Sequence, residues 1–454
     1  MGSVDHPVVA IQAAYGTGKT VVGALLAGRL ANPRHLIVAT ATTNTAVAQF
    51  TDTLLKLSDF RHLNILRFVS DSALADGAPT TEADLHVILK GLSTNYGDRL
   101  WAGEQSLCDT YARGRELMET MIFHPDRTLS LTDEERDEYR IADQEISDAT
   151  EEAVAIVFRV RRPSVVFMTT SSLLNSPSRS GISKAHPLAY HVIIGDEASQ
   201  IPEPAFVAMA TRFPYARHVY TGDVNQLESH VRCPSPTSDA SSKAALFGAK
   251  GVTELLLHKR VPLAPLTTTF MMHPALNDLP NRLFYDGSPV SDTEAANRHL
   301  LLGNCRTSKP RVLSVFVDTV GTSRCSPSGS RFNEGEAQTC RDIVQALMVK
   351  QIPAPSIAVI TFYKEQFCRM EQYTAQQRIS LYTVDSVQGR QIDMPASGEF
   401  LDDKLRLVIR YRHGQFVLGC VKALEELPIW ARLLQWAREQ DVIVSPVTLP
   451  DLLY

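Results

Sequence analysis

Residues 8–31 run VVAI, then QAAYGTGKT, then VVGALLAGRLA. A short β-rich apolar run, a turn with two glycines and a long apolar stretch at helical spacing predict a strand–loop–helix unit. Pulled tight between strand and helix, such a loop aims backbone N–H groups and a helix N-terminus at a phosphate group. In this loop Gly16, Thr17 and Gly18 form the cradle, Lys19 reaches the β- and γ-phosphates, and Thr20 offers its hydroxyl to Mg2+. The full pattern opens on glycine, whereas this chain has Ala13, which does not freely adopt positive φ. A chance match in a glycine-bearing turn is the alternative, and the strand before and helix after weigh against it.

The rhythm continues. HLIVATAT reads as a second strand and NTAVAQFTDTLLKL as a second helix, and this alternation predicts a parallel sheet with helical crossovers. From about residue 80 to 162 the rhythm stops. The segment LTDEERDEYRIADQEISDATEEAVAIVFRV is charged and helix-forming, so it reads as a helical insertion with DEERDE as a solvated face. Strands resume at SVVFMTT, HVIIGDEAS and RHVYTGD, followed by the helical KAALFGAKGVTELLLHK. A second series then begins, with RVLSVFVD, SIAVITF, ISLYTVD and GQFVLGC as strands and NEGEAQTCRDIVQALMVK as a helix. CPSPTSDASSK and SRCSPSGS read as loops, the latter a mobile one. The expected fold class is therefore α/β, with two tandem domains built on parallel sheets, residues 1–258 and 259–454, and the helical insertion in the first.

Composition narrows the function classes. A chain of 454 residues is too long for one compact domain, and 44% hydrophobic with 21% charged residues is ordinary for a globular protein. A net charge of −5 excludes a globally basic, tail-type nucleic-acid binder but not a local basic groove. The seven cysteines include no CxxC pair, which argues against a zinc module or disulfide framework and suits a reducing compartment. The opening MGSVDHP has no charged and apolar leader, and His6 stands where a myristoylation signal wants Ser or Thr. No apolar run approaches the ~18 residues of a membrane span. The expectation is a soluble protein without membrane attachment, in the cytoplasm, with the nucleus as the other option.

Two further strand ends carry polar residues. HVIIGDEASQ delivers Asp196 and Glu197 to a strand C-terminus, where ligands sit in open α/β sheets. There Asp196 would hold Mg2+ and Glu197 would orient and deprotonate an attacking water. Alone, such a pair is more often a helix N-cap; the phosphate loop upstream favours the catalytic reading. In VYTGDVNQL, Asp223 and Gln226 fit a γ-phosphate sensor, while a plain turn is the alternative. Thr40, Thr42, Asn44, Thr169 and Ser171 follow strands and are spaced to bond a sugar–phosphate backbone without reading bases, with caps and turns as the alternative.

Taken in order, YGTGKT, LIVATATTNTAV, VVFMTTSSLL, DEASQ, YTGDVNQL, FMMHPALNDLPNRLFYDG, ITFYKEQ and YTVDSVQGRQID form a series. That series resembles the superfamily 1 helicases of the Upf and senataxin type over nearly the whole chain. The resemblance implies two RecA-like P-loop domains, ATP and Mg2+ as cofactors, and an ATP-dependent helicase or translocase that hydrolyses ATP between them. It implies single-stranded RNA or DNA as partner, ribonucleoprotein partners and a monomer. Phe270 falls where these helicases stack an aromatic ring on adenine, and Gly389 and Arg390 lie in the motif that couples nucleotide to nucleic acid. In VIRYRHGQFVLG, Arg410 lines up with the arginine finger.

The chain also departs from the pattern. Met271 replaces an expected arginine, Gln391 a glutamate and Ile409 a threonine. After QIDM the usual apolar strand gives way to PASGEFLDDKLRL, and the upstream glutamine segment that reads adenine is not seen. Ala13, Met271, Gln391 and the shortened last motif support a second reading, a nucleotide-dependent RNA clamp or scaffold with weak or no ATPase turnover. An unrelated P-loop kinase is opposed by DEASQ and by the entire second half.

Overall fold

A computed structural model describes residues 7–32, 35–123, 132–176, 190–226, 229, 250–259, 261–301, 303–304, 314–319, 321–383, 394–398 and 411–453. By its internal contacts the chain forms two compact units. The first comprises Met1–Gln12, Lys19–Val224 and Glu228–Pro265; the second comprises Ala13–Gly18, Asn225–Leu227 and Leu266–Tyr454. The long second-unit segment begins after Pro265, whereas the change in sequence texture suggested a boundary after residue 258.

The first unit is built on a seven-stranded sheet. Its strands are β1 (Val8–Ala13), β2 (Leu36–Ala41), β3 (Ile65–Arg67), β4 (Val165–Thr169), β5 (Tyr190–Gly195), β6 (Arg217–Gly222) and β7 (Leu263–Leu266). Their spatial order is β3-β4-β2-β5-β6-β1-β7, and the pairs from β3 through to β1 are parallel. Every residue of β4 is buried, as a strand covered on both faces requires. Alternate residues serve separate cores. Ile37, Ala39 and Phe167 pack with α1 (Lys19–Leu30) and α2 (Asn44–Lys56), while Val38, Val166 and Met168 face the other side.

Between β3 and β4 lie α3 (Asp71–Ala75), α4 (Leu85–Lys90), α5 (Leu92–Tyr96), α6 (Ala102–Phe123) and α7 (Asp133–Val160). The helical insertion thus begins at Asp71, earlier than the expected residue 80. α7 starts on a capping box in which Thr132 and Glu135 satisfy each other's backbone N–H groups. Residues 134–138, the described part of the DEERDE run, are exposed. At the foot of the insertion Arg67 and Asp84 form a fully buried ion pair at 2.8 Å. Two short helices, α8 (Thr170–Asn175) and α9 (Glu203–Arg212), complete the crossovers.

The second unit begins with a parallel pair, β8 (Thr268–Thr269) and β9 (Val290–Ser291). Its main sheet contains β10 (Ser314–Asp318), β13 (Ile357–Thr361), β14 (Ser380–Thr383), β15 (Met394–Gly398), β16 (Gln415–Gly419) and β17 (Ile443–Val444). The order is β14-β13-β15-β16-β10-β17 and every neighbouring pair is parallel. The remaining strands, β11 (Arg324–Cys325) and β12 (Arg331–Phe332), make a hairpin where SRCSPSGS read as a loop. Gly329 turns it at φ +80°. The text MPASG, which broke the apolar pattern, is a central strand, paired with β13 from Ile357↔Met394 to Thr361↔Gly398. Helices Glu334–Val349 and Pro428–Gln440 bury Ile343, Leu347, Trp430 and Leu434 in this unit's core. Among the described residues no helix is long and apolar enough to cross a membrane.

Candidate active site

Because β1, β2, β4, β5 and β6 run parallel, their C-terminal ends share one edge of the first sheet. Register pairs Gln12↔Gly222 and Gly195↔Tyr220 set the C-terminal ends of β1, β5 and β6 level with one another. Lys19 and Thr20 open α1 at that edge, with Lys19 buried. Asp196 is buried immediately after β5, and its N–H donates to the Thr40 carbonyl at 2.8 Å. The Thr20 hydroxyl hydrogen-bonds the Asp196 carboxylate, whose Oδ1 has no partner.

Burial, and then the neighbouring Glu197 charge, push the Asp196 carboxyl up to about 7, against the Thr20 bond and the Lys19 charge. A buried carboxyl with one open oxygen, beside a threonine hydroxyl, is a donor set that fits a hard divalent cation. Thr20 and Asp196 are therefore the residues that would hold Mg2+.

Glu197 is buried with φ +48°. A left-handed backbone at a non-glycine residue costs on the order of 1–2 kcal/mol. The turn Ala198–Gln200 that follows holds it there, with Gln200 N–H bonded to the Glu197 carbonyl at 2.9 Å. Glu197 occupies the N-cap position of that turn but makes no side-chain cap bond. Its carboxylate is not spent on capping, which answers the alternative raised by the sequence. The turn also lies hard against Gly222, where a Cβ would fall 2.1 Å from Thr253 Oγ1 and 2.9 Å from the Ser199 nitrogen.

Asp223 is buried after β6 and accepts a bond at 3.2 Å from Gln12 Nε2, whose Oε1 accepts from Val224 N–H at 3.4 Å. Gln12 was not anticipated. Its signal was in plain view, a carboxamide inside the otherwise apolar strand VVAIQA. Gln226, also buried, groups with the second unit.

The loop Ala13–Gly18 is held by second-unit residues with which it groups. Positive φ occurs at Gly16 (+62°) and Gly18 (+78°) but not at Ala13, which ends β1 fully buried. The position that departs from the phosphate-loop pattern therefore makes no demand that alanine fails to meet. Gly16 is indispensable on a second count, since a Cβ there would lie 2.4 Å from Met271 Cβ. Its carbonyl accepts from Phe270 N–H at 3.0 Å. Thr17 Oγ1 donates to the Ala14 carbonyl at 2.8 Å. Tyr15 is buried, hydrogen-bonded to the Asn277 side chain and to Asn281 Oδ1, with its ring edge-on to Tyr285 at 5.2 Å. Phe270 is 50% exposed and Met271 is buried.

Gly389, Arg390, Gln391, Ile409 and Arg410 lie outside the described residues. The proposed backbone-binding group separates by burial. Thr40 is buried within β2, 3.4 Å from Thr170 Oγ1, and Thr169 caps α8 by accepting from Ser172 N–H. Asn44 uses its carbonyl to accept from Arg67. Thr42 and Ser171 are exposed at the same sheet edge, since Ala41 pairs with Thr169.

Residues 251–394 match a family model described as an AAA domain. A putative regulator of nonsense transcripts 1 from Takifugu rubripes is 24% identical over 97% of this chain and 38% of its own length. The Drosophila melanogaster homolog of regulator of nonsense transcripts 1 is 25% identical over 98% and 35%. The ATP-dependent helicase NAM7 of Saccharomyces cerevisiae is 25% identical over 56% and 28%. The chain thus spans little more than a third of the length of the first two relatives. An arterivirus nonstructural protein 10 helicase, solved with DNA, aligns over 91% of this chain and 60% of its own at 11% identity, with a TM-score of 0.40 too low to argue from. The chain is thus similar in sequence to regulators of nonsense transcripts 1 over nearly its whole length and to an ATP-dependent helicase over somewhat more than half of it.

Proposed function

We propose that the chain is an ATP-dependent helicase or translocase acting on single-stranded RNA or DNA. One observation carries this reading: Thr20 and Asp196 meet at the strand ends beside Lys19, with one Asp196 oxygen left open. Lys19 neutralises charge on the transferred phosphoryl group, and the loop N–H groups around Gly16 and Gly18 hold its oxygens. Glu197 orients the attacking water and takes its proton. Asp223, steadied by Gln12, and Gln226 report the γ-phosphate to the rest of the chain. Phe270, with half its surface exposed, is available to stack on a base. Arg410 is assigned the role of arginine finger from its place in VIRYRHGQFVLG. Thr20 and Asp196 would hold Mg2+, whose charge would offset that of the phosphate oxygens.

A second reading, a nucleotide-dependent strand clamp with feeble turnover, is favoured by Met271, whose buried apolar side chain supplies no cation. Steady-state ATPase with and without single-stranded RNA separates the two. Strand-stimulated turnover that falls by about two orders of magnitude or more in both Lys19→Ala and Glu197→Gln supports the enzyme. Retention of RNA in the presence of ATP with no turnover in the unaltered chain would leave only the clamp.

A further inference from the structure

We propose that the root of the helical insertion carries a second contact for a single nucleic-acid strand, with the indole of Trp101 as the platform on which a base stacks. The inference rests on the reading above but uses different residues. Of the three tryptophans, Trp430 and Trp436 are buried at 2% and 6% exposure, whereas Trp101 is 72% exposed. An indole left in water forgoes a large burial gain, so its placement calls for a reason.

The ring is also held in place. Arg159 covers one face with its guanidinium carbon 5.1 Å from the centroid. Arg159 in turn bonds Glu104 Oε2 at 2.6 Å and the Arg99 carbonyl at 3.3 Å. The Trp101 N–H of the backbone donates to the same Glu104 oxygen at 3.0 Å. Three segments, the approach to α6, its first turn and the last turn of α7, are thus tied together around one exposed aromatic surface. A stacked guanidinium on one side and an open indole surface form a sequence-tolerant seat for a base.

The charge nearby is of the right sign. Glu104 is neutralised by Arg159, and Asp98 is the other acid on this stretch. Against them stand Arg99, exposed and lying over the Tyr96 ring at 5.8 Å, and Arg162, exposed in the turn that leads to β4. These two supply exposed positive charge for phosphate contacts. Val160 ends α7 and Val165 begins β4, so the patch lies toward the N-terminal ends of the strands. Lys19, Asp196 and Asp223 occupy the opposite, C-terminal edge of the same sheet. The patch is therefore separate from the candidate nucleotide site.

Because the other two tryptophans are buried, the acrylamide-accessible part of the intrinsic fluorescence reports on Trp101. Titrating the full chain with an oligouridylate is expected to quench this emission and to protect it from acrylamide. In Trp101→Leu the quenching should vanish and the dissociation constant rise about tenfold, the size expected for one lost base–aromatic stack. The melting temperature should stay unchanged, since the ring is exposed. An abasic oligomer of equal length should bind without quenching. Equal affinity of both chains for oligouridylate, with no change in emission, would overturn the inference and leave the helicase reading standing. Quenching by the abasic oligomer would likewise exclude base stacking. Failure of the unaltered chain to bind oligouridylate in any nucleotide state would remove both readings.

Discussion

Ala13 ends β1 and Asp196 follows β5, and the two have opposite characters. Ala13 departs from the expected glycine but keeps ordinary backbone angles and is fully buried. Replacing it with glycine restores the pattern and gains nothing, while the strand end becomes more flexible. Ala13→Gly should leave ATPase turnover where it is and lower stability by roughly 0.5–1 kcal/mol, read from denaturant unfolding. A large rise in turnover would show that the loop does need the glycine. Asp196 matches expectation by type, yet its value lies in what surrounds it. Burial, Glu197, Thr20 and Lys19 together make one carboxyl with an open oxygen. Each of these residues was visible in the text, whereas Gln12, which steadies Asp223, was not singled out. A lone carboxamide in an apolar strand carries no motif, and only the register Gln12↔Gly222 gives it a partner.

At the scale of elements, the helical insertion depends on a buried pair at its foot. Arg67 bonds Asp84 and the Pro79 carbonyl at 2.8 Å each, and Asp84 also accepts from the Thr81 hydroxyl and N–H. Asp84→Ala strands the guanidinium without its counter-charge, which costs about 3–5 kcal/mol. Chemical unfolding should register that loss, and protease should cut first between α3 and α7. The strand that ends in Arg67, β3, is not legible in the sequence because three residues, ILR, are too few to show a period. The second sheet makes the same point through β15. MPASG has no apolar alternation and contains Pro395, which cannot donate a ladder bond. It is nonetheless a strand because β13 and β16 present parallel edges on both sides of it. Neighbours overrode local propensity there.

For the molecule as a whole, the net charge of −5 limits how a nucleic-acid strand can be held. On the proposed reading, a strand is held by few phosphate contacts and by uncharged or stacking groups such as Thr42, Ser171, Trp101 and Phe270. The logarithm of affinity for single-stranded RNA should therefore fall with the logarithm of salt at a shallow slope, roughly −2 to −3. A slope near −7 or steeper would mean that a basic groove, not stacking, dominates.

The sequence by itself determined that the chain alternates strands and helices twice over, with polar residues at strand ends. Hydrophobic periodicity and loop chemistry are local properties, and they survive in the linear text. It also determined the order of the motifs, and through them the likeness to helicases. Only the tertiary structure decided that Thr20 meets Asp196, that Gln12 serves Asp223, that Ala13 is harmless, and that Trp101 alone among the tryptophans faces water. Those facts depend on which strands become neighbours and which surfaces are covered. Residues separated by hundreds of positions settle that in space, and no window of sequence contains it.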